Sequence, residues 1–282
     1  MKFSAIILCL LLLPSAAFPA SEKLNKELAA LKAQKGPYTF VVLGDNRVGD
    51  NIYKTLIGLA LKQKPVFFLN TGDLITTPGN RDQWANFWKT SGAIVDPYFL
   101  VIGNHDVDDK KSEAVWKEEV DLPGNELYYS WTVGKSLFAV LNTHDPDREY
   151  KIEGKQLDWL KKTLDPKKYD YQFVSMHAPM YLNEGSTHYG KSVDKYPELR
   201  DELQKLFEQK KVTAVFAGHE HSYQKRKVGG VWHIVTGGGG ARLYGKTFNH
   251  FVVVNIDDPR IKLKVIDKEG VLRDEFMIHP AP

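Results

Sequence analysis

Cysteine is nearly absent: the 282-residue chain has a single one, Cys9. It sits in an apolar run from Ala5 to Leu13, after the basic start Met1-Lys2-Phe3 and before the small residues Ser15, Ala16, Ala17 and Ala20. A basic start, an apolar stretch too short to span a bilayer and small residues behind it read as a secretory signal peptide over residues 1–20. Its removal leaves neither thiol nor disulfide, which excludes zinc-finger, thiol-protease and redox chemistry. Leu8, bulky and directly before Cys9, argues against lipid attachment. The expected location is therefore secreted or periplasmic.

Charge of one sign is also scarce. The formal net charge is +3, or +2 (3 minus 1) once Lys2 leaves with the signal, so the chain carries no strong nucleic-acid signal. No later apolar run has the length of a membrane span, and no internal repeat or low-complexity segment interrupts the sequence. What remains is long enough for one catalytic domain, residues 37–282. It follows a helical lead-in at residues 21–36, rich in Lys, Glu, Ala and Leu and stopped by Gly36-Pro37.

Short β-branched and aromatic runs alternate with amphipathic stretches, the pattern of a layered α/β fold. Helices are expected over Asp50 to Gln63, Asn80 to Ser91, Lys110 to Glu119, Gly154 to Leu164 and Tyr196 to Lys210. Strands are expected near Val231 to Val235, Phe251 to Ile256, Ile261 to Ile266 and Val271 to Ile278. A mixed first part followed by a β-rich end suggests two mixed sheets packed face to face with helices outside, a four-layer α/β/β/α sandwich.

The informative regularity is where the apolar runs stop. Tyr38 to Leu43 leads into Gly44-Asp45-Asn46-Arg47, Val66 to Asn70 into Gly72-Asp73, and Tyr98 to Ile102 into Gly103-Asn104-His105-Asp106. Phe173 to Met176 leads into His177-Ala178-Pro179, and Thr213 to Ala217 into Gly218-His219-Glu220-His221. Five buried strands thus each deliver a ligand-type residue just past the strand's C-terminal end, where open α/β sheets hold their sites. Asp, Asn and His together suit a borderline cation such as zinc, manganese or iron. A carboxylate that bridges two of them sets the ions about 3.5 to 4 Å apart and lets them clamp a phosphoryl group. In Gly-x-His-x-His, alternate residues of an extended segment point the same way, which can bring both imidazoles to one site.

These blocks resemble those of the calcineurin-like metallophosphoesterases, and within that family the relatives of purple acid phosphatases. The family pattern is Asp-x-His, Gly-Asp, Gly-Asn-His-Asp or Glu, a lone His, and Gly-His-x-His. The likeness runs from Thr39 to about Tyr244 and takes in Gly154 to Leu160, with Gln156 and Trp159, and the loop Thr236 to Ala241. One block alone is weakly specific, but five in order, each after a strand, are strongly so. The resemblance implies a centre of two divalent or trivalent transition metal ions. In it Asp45 and His221 hold the first metal, Asp73 bridges, and Asn104, His177 and His219 complete the second. It also implies that His105 protonates the leaving oxygen, that Asp106 orients His105, and that His188, in a polar loop with Gly185 and Gly190, faces the substrate.

Two positions depart from the family. Arg47 stands where a histidine normally ligates the first metal, and a guanidinium has no lone pair to donate. Close to Asp45 at the mouth of an anion site, Arg47 reads as a phosphate ligand instead. Its partner in the free enzyme is then expected to be inorganic phosphate or Asp45. Thr76 stands where purple acid phosphatases carry an iron-ligating tyrosine, so no purple colour is expected.

The expected function is metal-dependent hydrolysis of phosphate esters, with small phosphomonoesters as substrates, by a dimetal-activated hydroxide. Asn104 and Arg47 would hold the phosphoryl oxygens. The same clamp suits diesters, so a phosphodiesterase acting on nucleotides or nucleic acid is the alternative within enzymes. A non-catalytic binding protein on the same fold is the alternative outside them, because the first-block histidine is lost. The other features read as structural. His144, His233, His250 and His279 belong to no motif and read as packing or surface residues, and Lys225 to Lys227 as a solvated face. Gly237 to Gly240 reads as a close backbone approach near the metals, and Trp84, Phe87 and Trp88, at helical spacing, as core.

Overall fold

The computed structural model describes residues 21–94 and 97–278. The signal peptide expected at residues 1–20, and His279, lie outside the described residues. The expected lead-in forms α1 (Glu22–Lys32), which begins where the Ser21 hydroxyl accepts from the Leu24 amide and which packs on strand β4 (Tyr129–Val133).

Two six-stranded mixed sheets form the centre. The first contains β1 (Tyr38–Leu43), β2 (Phe68–Asn70) and β3 (Tyr98–Leu100), and it also includes β10 (His250–Asp257), β11 (Arg260–Asp267) and β12 (Leu272–Ile278). Its order is β12-β11-β10-β1-β2-β3. The three N-terminal strands are parallel, with Val41 opposite Phe68 and Phe68 opposite Tyr98, while β10 joins β1 antiparallel with Tyr38 opposite Ile256. The last three strands of the β-rich end therefore fold back on β1.

The second sheet is β4 with β5 (Ser136–Val140), β6 (Tyr171–Ser175), β7 (Ala214–Ala217), β8 (Tyr223–Val228) and β9 (Val231–Thr236), in the order β4-β5-β6-β7-β9-β8. Here β5, β6, β7 and β9 are parallel. Strand β8 carries Gln224-Lys225-Arg226-Lys227 along the exposed edge, and Lys225 pairs with Asp274 while Arg226 donates to Asn183. Charged residues on an edge strand block pairing with other chains.

Aromatic side chains fill the space between the sheets. The Phe40 ring lies 5.1 Å from Phe138 and 5.5 Å from Phe173, and Phe67 lies 5.0 Å from Phe138. Alternate residues of a strand face opposite sides, so β1, buried at every position but Thr39, serves this interlayer core with one set and the outer helices with the other. The outer layers contain α2 (Asp50–Leu61), α3 (Arg81–Ser91), α4 (Lys110–Glu119), α5 (Gly154–Thr163) and α6 (Pro197–Gln209). Caps fix where two of them start: Asn80 accepts from the Gln83 amide before α3, and Asp109 and Ser112 form a reciprocal capping box before α4. Trp84 and Phe87 are buried beneath α3, and Trp88 packs against the same core. Among the described residues no helix is long and apolar enough to cross a membrane.

Candidate metal centre

Parallel strands that share an orientation bring their C-terminal ends to one rim, and the loops after β1, β2, β3, β6 and β7 meet there. The Asp45 amide donates to the Gly72 carbonyl at 2.8 Å and the Arg47 amide to the Asp73 carbonyl at 3.2 Å, which ties the first two loops together. Beneath them the buried Asn70 side chain donates to Asn46 Oδ1 at 2.8 Å and accepts from the Gly72 amide at 3.0 Å. Asp45, Asp73 and His219 adopt positive φ values of 59°, 59° and 67°. Non-glycine residues seldom occupy this region, and each costs about 1–3 kcal/mol where the fold imposes it. The third loop approaches so closely that a Cβ on Gly103 would lie 2.2 Å from Asp73 Oδ1, so only glycine fits.

The result is two buried groups of potential metal ligands. In one, Asp45, Asp73 and His221 each offer an atom within 4.8 Å of the others, and in the other His144, His177 and His219 do the same. Asp73 lies between the groups. Its Oδ1 is 3.3 Å from His177 Nε2 and its Oδ2 is 3.2 Å from Arg47 Nε. Asn104 Oδ1 adjoins the second group, 3.3 Å from His177 Nε2.

Backbone carbonyls orient three of the rings. His177 Nδ1 donates to Thr71 at 2.7 Å, His221 Nδ1 to Arg242 at 2.6 Å, and His219 Nε2 to Lys191 at 3.3 Å. A carbonyl on one ring nitrogen settles the tautomer and presents the other nitrogen's lone pair, the usual support for a metal-binding imidazole. Burial and the neighbouring imidazoles push His144 and His219 well below the ordinary histidine range, so both are neutral donors. Burial also presses on His221, but Asp45 beside it outweighs that and raises it. Burial pushes Asp73 up, yet His177, His105 and Arg47 together bring it below the usual carboxylate range. Asp73 thus favours its anionic form, and His144 and His219 their neutral forms. Two carboxylates with an imidazole, and three imidazoles beside a carboxamide, both suit borderline transition cations.

The calcineurin-like phosphoesterase family model matches residues 38–223. The chain belongs to that family. Purple acid phosphatase 21 of Arabidopsis thaliana is 29% identical over 209 residues, covering 68% of this chain and 46% of that protein. Serine/threonine-protein phosphatase CPPED1 of Rattus norvegicus is 30% identical over 192 residues, covering 61% of this chain and 57% of that protein. The chain spans about half the length of these curated relatives. Purple acid phosphatase PPD1 from yellow lupin seeds shares the fold, with a TM-score of 0.73 over 87% of this chain and 54% of that one, at 19% identity.

Several residues sit differently from what the calcineurin-like phosphoesterase pattern suggests. Among the described residues Asp106 makes no hydrogen bond to the His105 ring. It accepts from the amides of Asp73, Leu74, Ile75 and Gly103 and so pins the second and third loops together. The His105 ring is held instead by the Thr76 carbonyl, 2.7 Å from Nδ1. Arg47 takes Asp73 as its partner rather than Asp45. His144, read as packing or surface, is buried in the second ligand group. The sign of it was available: the apolar run Leu137 to Leu141 ends at Asn142-Thr143-His144, as the other five runs end at their ligand-type residues.

The remaining histidines and the glycine loop follow the structural reading. His233 Nε2 meets Gln204 Oε1 at 2.9 Å, and His250 Nδ1 meets the Phe248 carbonyl at 2.9 Å, both in the interior. Gly239 donates to the Gly44 carbonyl at 2.8 Å, and a Cβ there would approach that oxygen to 2.2 Å. His188 lies over the second group, its ring 4.0 Å from that of His219 and its Nδ1 3.1 Å from Glu220.

Proposed function

We propose that the chain is an exported metal-dependent phosphomonoesterase. The observation that carries this reading is the position of Asp73, a buried carboxylate placed between two groups of neutral and anionic ligands. Asp45, His221 and Asp73 would hold one cation, and Asn104, His177, His219 and Asp73 the other, each zinc, manganese or iron. Bound there, such cations supply an acidified water and neutralise charge on the phosphoryl oxygens.

The chain's own groups do the rest. Arg47 and Asn104 grip phosphoryl oxygens, His188 faces the substrate from above, and His105 gives the leaving oxygen a proton from Nε2 while the Thr76 carbonyl holds Nδ1–H. A cleft of about 550 Å³ next to Arg47 is lined by Asn46, Val48, Thr76, Gln83, Asn86 and Phe87 among others, with no Lys or Arg in its wall among the described residues. It suits the neutral alcohol part of a small monoester. The further phosphates of a polynucleotide would find no cation there, which favours the monoester over the nucleic-acid reading. The likeness to proteins named phosphatases and the signal-like N-terminus support the activity and the export.

The test is a panel of mono- and diesters assayed with zinc, manganese and iron after chelator treatment. Restored activity, greatest on small monoesters, is expected. A fully metal-loaded protein without turnover on any ester would leave the non-catalytic binding reading.

Arg47 gives a second prediction. In the free protein its guanidinium neutralises Asp73, and a phosphoryl group entering beside it offers oxygens in a geometry the planar fork matches. Charge-assisted hydrogen bonds contribute about 1.5–3 kcal/mol, which at 1.4 kcal/mol per tenfold predicts a KM about ten- to a hundredfold higher in Arg47→Ala. Phosphate inhibition should weaken in parallel and metal content should hold or rise. Arg47→His should slow metal loss to a chelator. Loss of metal from Arg47→Ala with unchanged phosphate inhibition would show that Arg47 supports the ligands rather than the substrate.

A further inference from the structure

A buried polar atom of His144 has no partner among the described residues. The residue is 4% exposed, and the atom is Nε2, which no group of the described residues meets with a hydrogen bond. Leaving such a group unsatisfied costs about 1–3 kcal/mol, so a native interior normally supplies a partner. Its side-chain ligand atom instead lies within 4.8 Å of those of His177 and His219.

The backbone around His144 is held in place from four sides. Gln156 of α5 accepts from the Asn142 amide at 2.7 Å and donates to the Asn142 carbonyl at 3.0 Å. Asn142 Oδ1 accepts from the His144 amide at 2.8 Å. The Thr143 carbonyl accepts from Tyr150 at 2.7 Å, and the Thr143 hydroxyl accepts from the Ala178 amide at 3.0 Å, next to His177. A turn fixed in this way presents the ring to the His177–His219 pair without further ordering, as a preorganised ligand must be.

The other group lies under an opposing charge. Arg47 Nε stands 3.2 Å from Asp73 and competes with a cation for that carboxylate. A fixed positive charge beside a cation opposes its binding, and an imidazole ligand carries no fixed charge of that kind.

We propose that His144 is a metal ligand, completing with His177 and His219 a three-imidazole pocket that holds a zinc-type cation more tightly than the Asp45–Asp73–His221 group does. This rests on the reading of the two groups as a metal centre. It assigns to the second site a ligand from the β5 turn, beyond the five sequence blocks.

The test uses the full mature chain loaded with zinc and dialysed against a chelator, with metal counted by mass spectrometry. Wild type is expected to retain one equivalent, and Asp45→Ala to retain the same one. His144→Ala and the space-filling His144→Gln should both lose it, at least about 10- to 100-fold faster, since loss of even an outer-sphere partner costs that much. His144→Cys should recover retention and, loaded with cobalt, show a sulfur-to-metal absorption band. If both His144 variants keep zinc at the wild-type rate, or the cysteine variant shows no such band, His144 is not a ligand and the two-group reading stands without it. If wild type takes up no zinc before dialysis, that reading and this inference fall together.

Discussion

Asp73→Ala is expected to abolish turnover and to release metal. The carboxylate is buried, and three groups converge on it: Arg47 Nε at 3.2 Å, His177 Nε2 at 3.3 Å and the His105 amide at 3.1 Å. Each is a cation, an imidazole or a donor, and Asp73 is the anion they share. Two cations facing each other without that anion repel by roughly 4 kcal/mol for each pair of unit charges about 4 Å apart at an effective dielectric near 20. At 1.4 kcal/mol per tenfold, that is roughly a thousandfold in affinity for each such pair. Asp73→Asn separates charge from shape, because it preserves the volume and can still accept from the His105 amide. It should therefore also lose metal and turnover, while Asp73→Glu, which displaces a carboxylate pressed against Gly103, should bind metal but turn over slowly. The measurement is metal content by mass spectrometry beside initial rates on an aryl phosphate. A chelator-treated Asp73→Ala hydrolysing at the wild-type rate would end the two-metal reading.

Much of this architecture can be read from where apolar runs stop. Strands β1, β2, β3, β6 and β7 are short, buried and followed by Gly or His, so the sequence pattern marks both the strand and the residue it delivers. Helices α2 to α6 carry the 3.6 period and lie within two or three residues of expectation. What the pattern does not contain is pairing. Nothing local in Phe251 to Ile256 says that β10 lies antiparallel to β1, about 200 residues earlier, rather than beginning a separate sheet. Strand β8 was hidden because Tyr223 to Val228 is charged and largely exposed, and the edge position that tolerates such residues is a property of the sheet. Asp106 shows a different limit. Adjacency to His105 suggests a partnership, yet the chain turns after Gly103, and the two side chains diverge, one into backbone amides and one toward the Thr76 carbonyl. His144 was missed because it lies in no family block, although its strand ends as the others do.

His105→Ala is expected to keep the metals and lose turnover. The His105 ring is half-buried and belongs to neither group of potential ligands. Its Nδ1 lies 2.7 Å from the Thr76 carbonyl, which can only accept, so Nδ1 carries a hydrogen and Nε2 is the nitrogen able to exchange a proton. The ring follows Asn104, beside the proposed phosphoryl site and on the side where the Thr76 wall of the cleft begins. A proton delivered there stabilises the departing alkoxide, and general acid catalysis of this kind contributes on the order of 10² to 10⁴ in rate. The loss must depend on the leaving group. An alkyl alcohol leaves badly without the proton, whereas nitrophenolate, already a weak base, needs little help. His105→Ala should therefore lose the full factor on alkyl phosphates and much less on nitrophenyl phosphate, with metal content unchanged. His105→Gln distinguishes proton transfer from a passive hydrogen bond: its amide can donate to an oxygen but cannot give up a proton, so it should resemble the alanine variant on alkyl esters. An equal loss on both classes of ester, or loss of metal, would place His105 in the ligand scaffold instead of at the leaving oxygen.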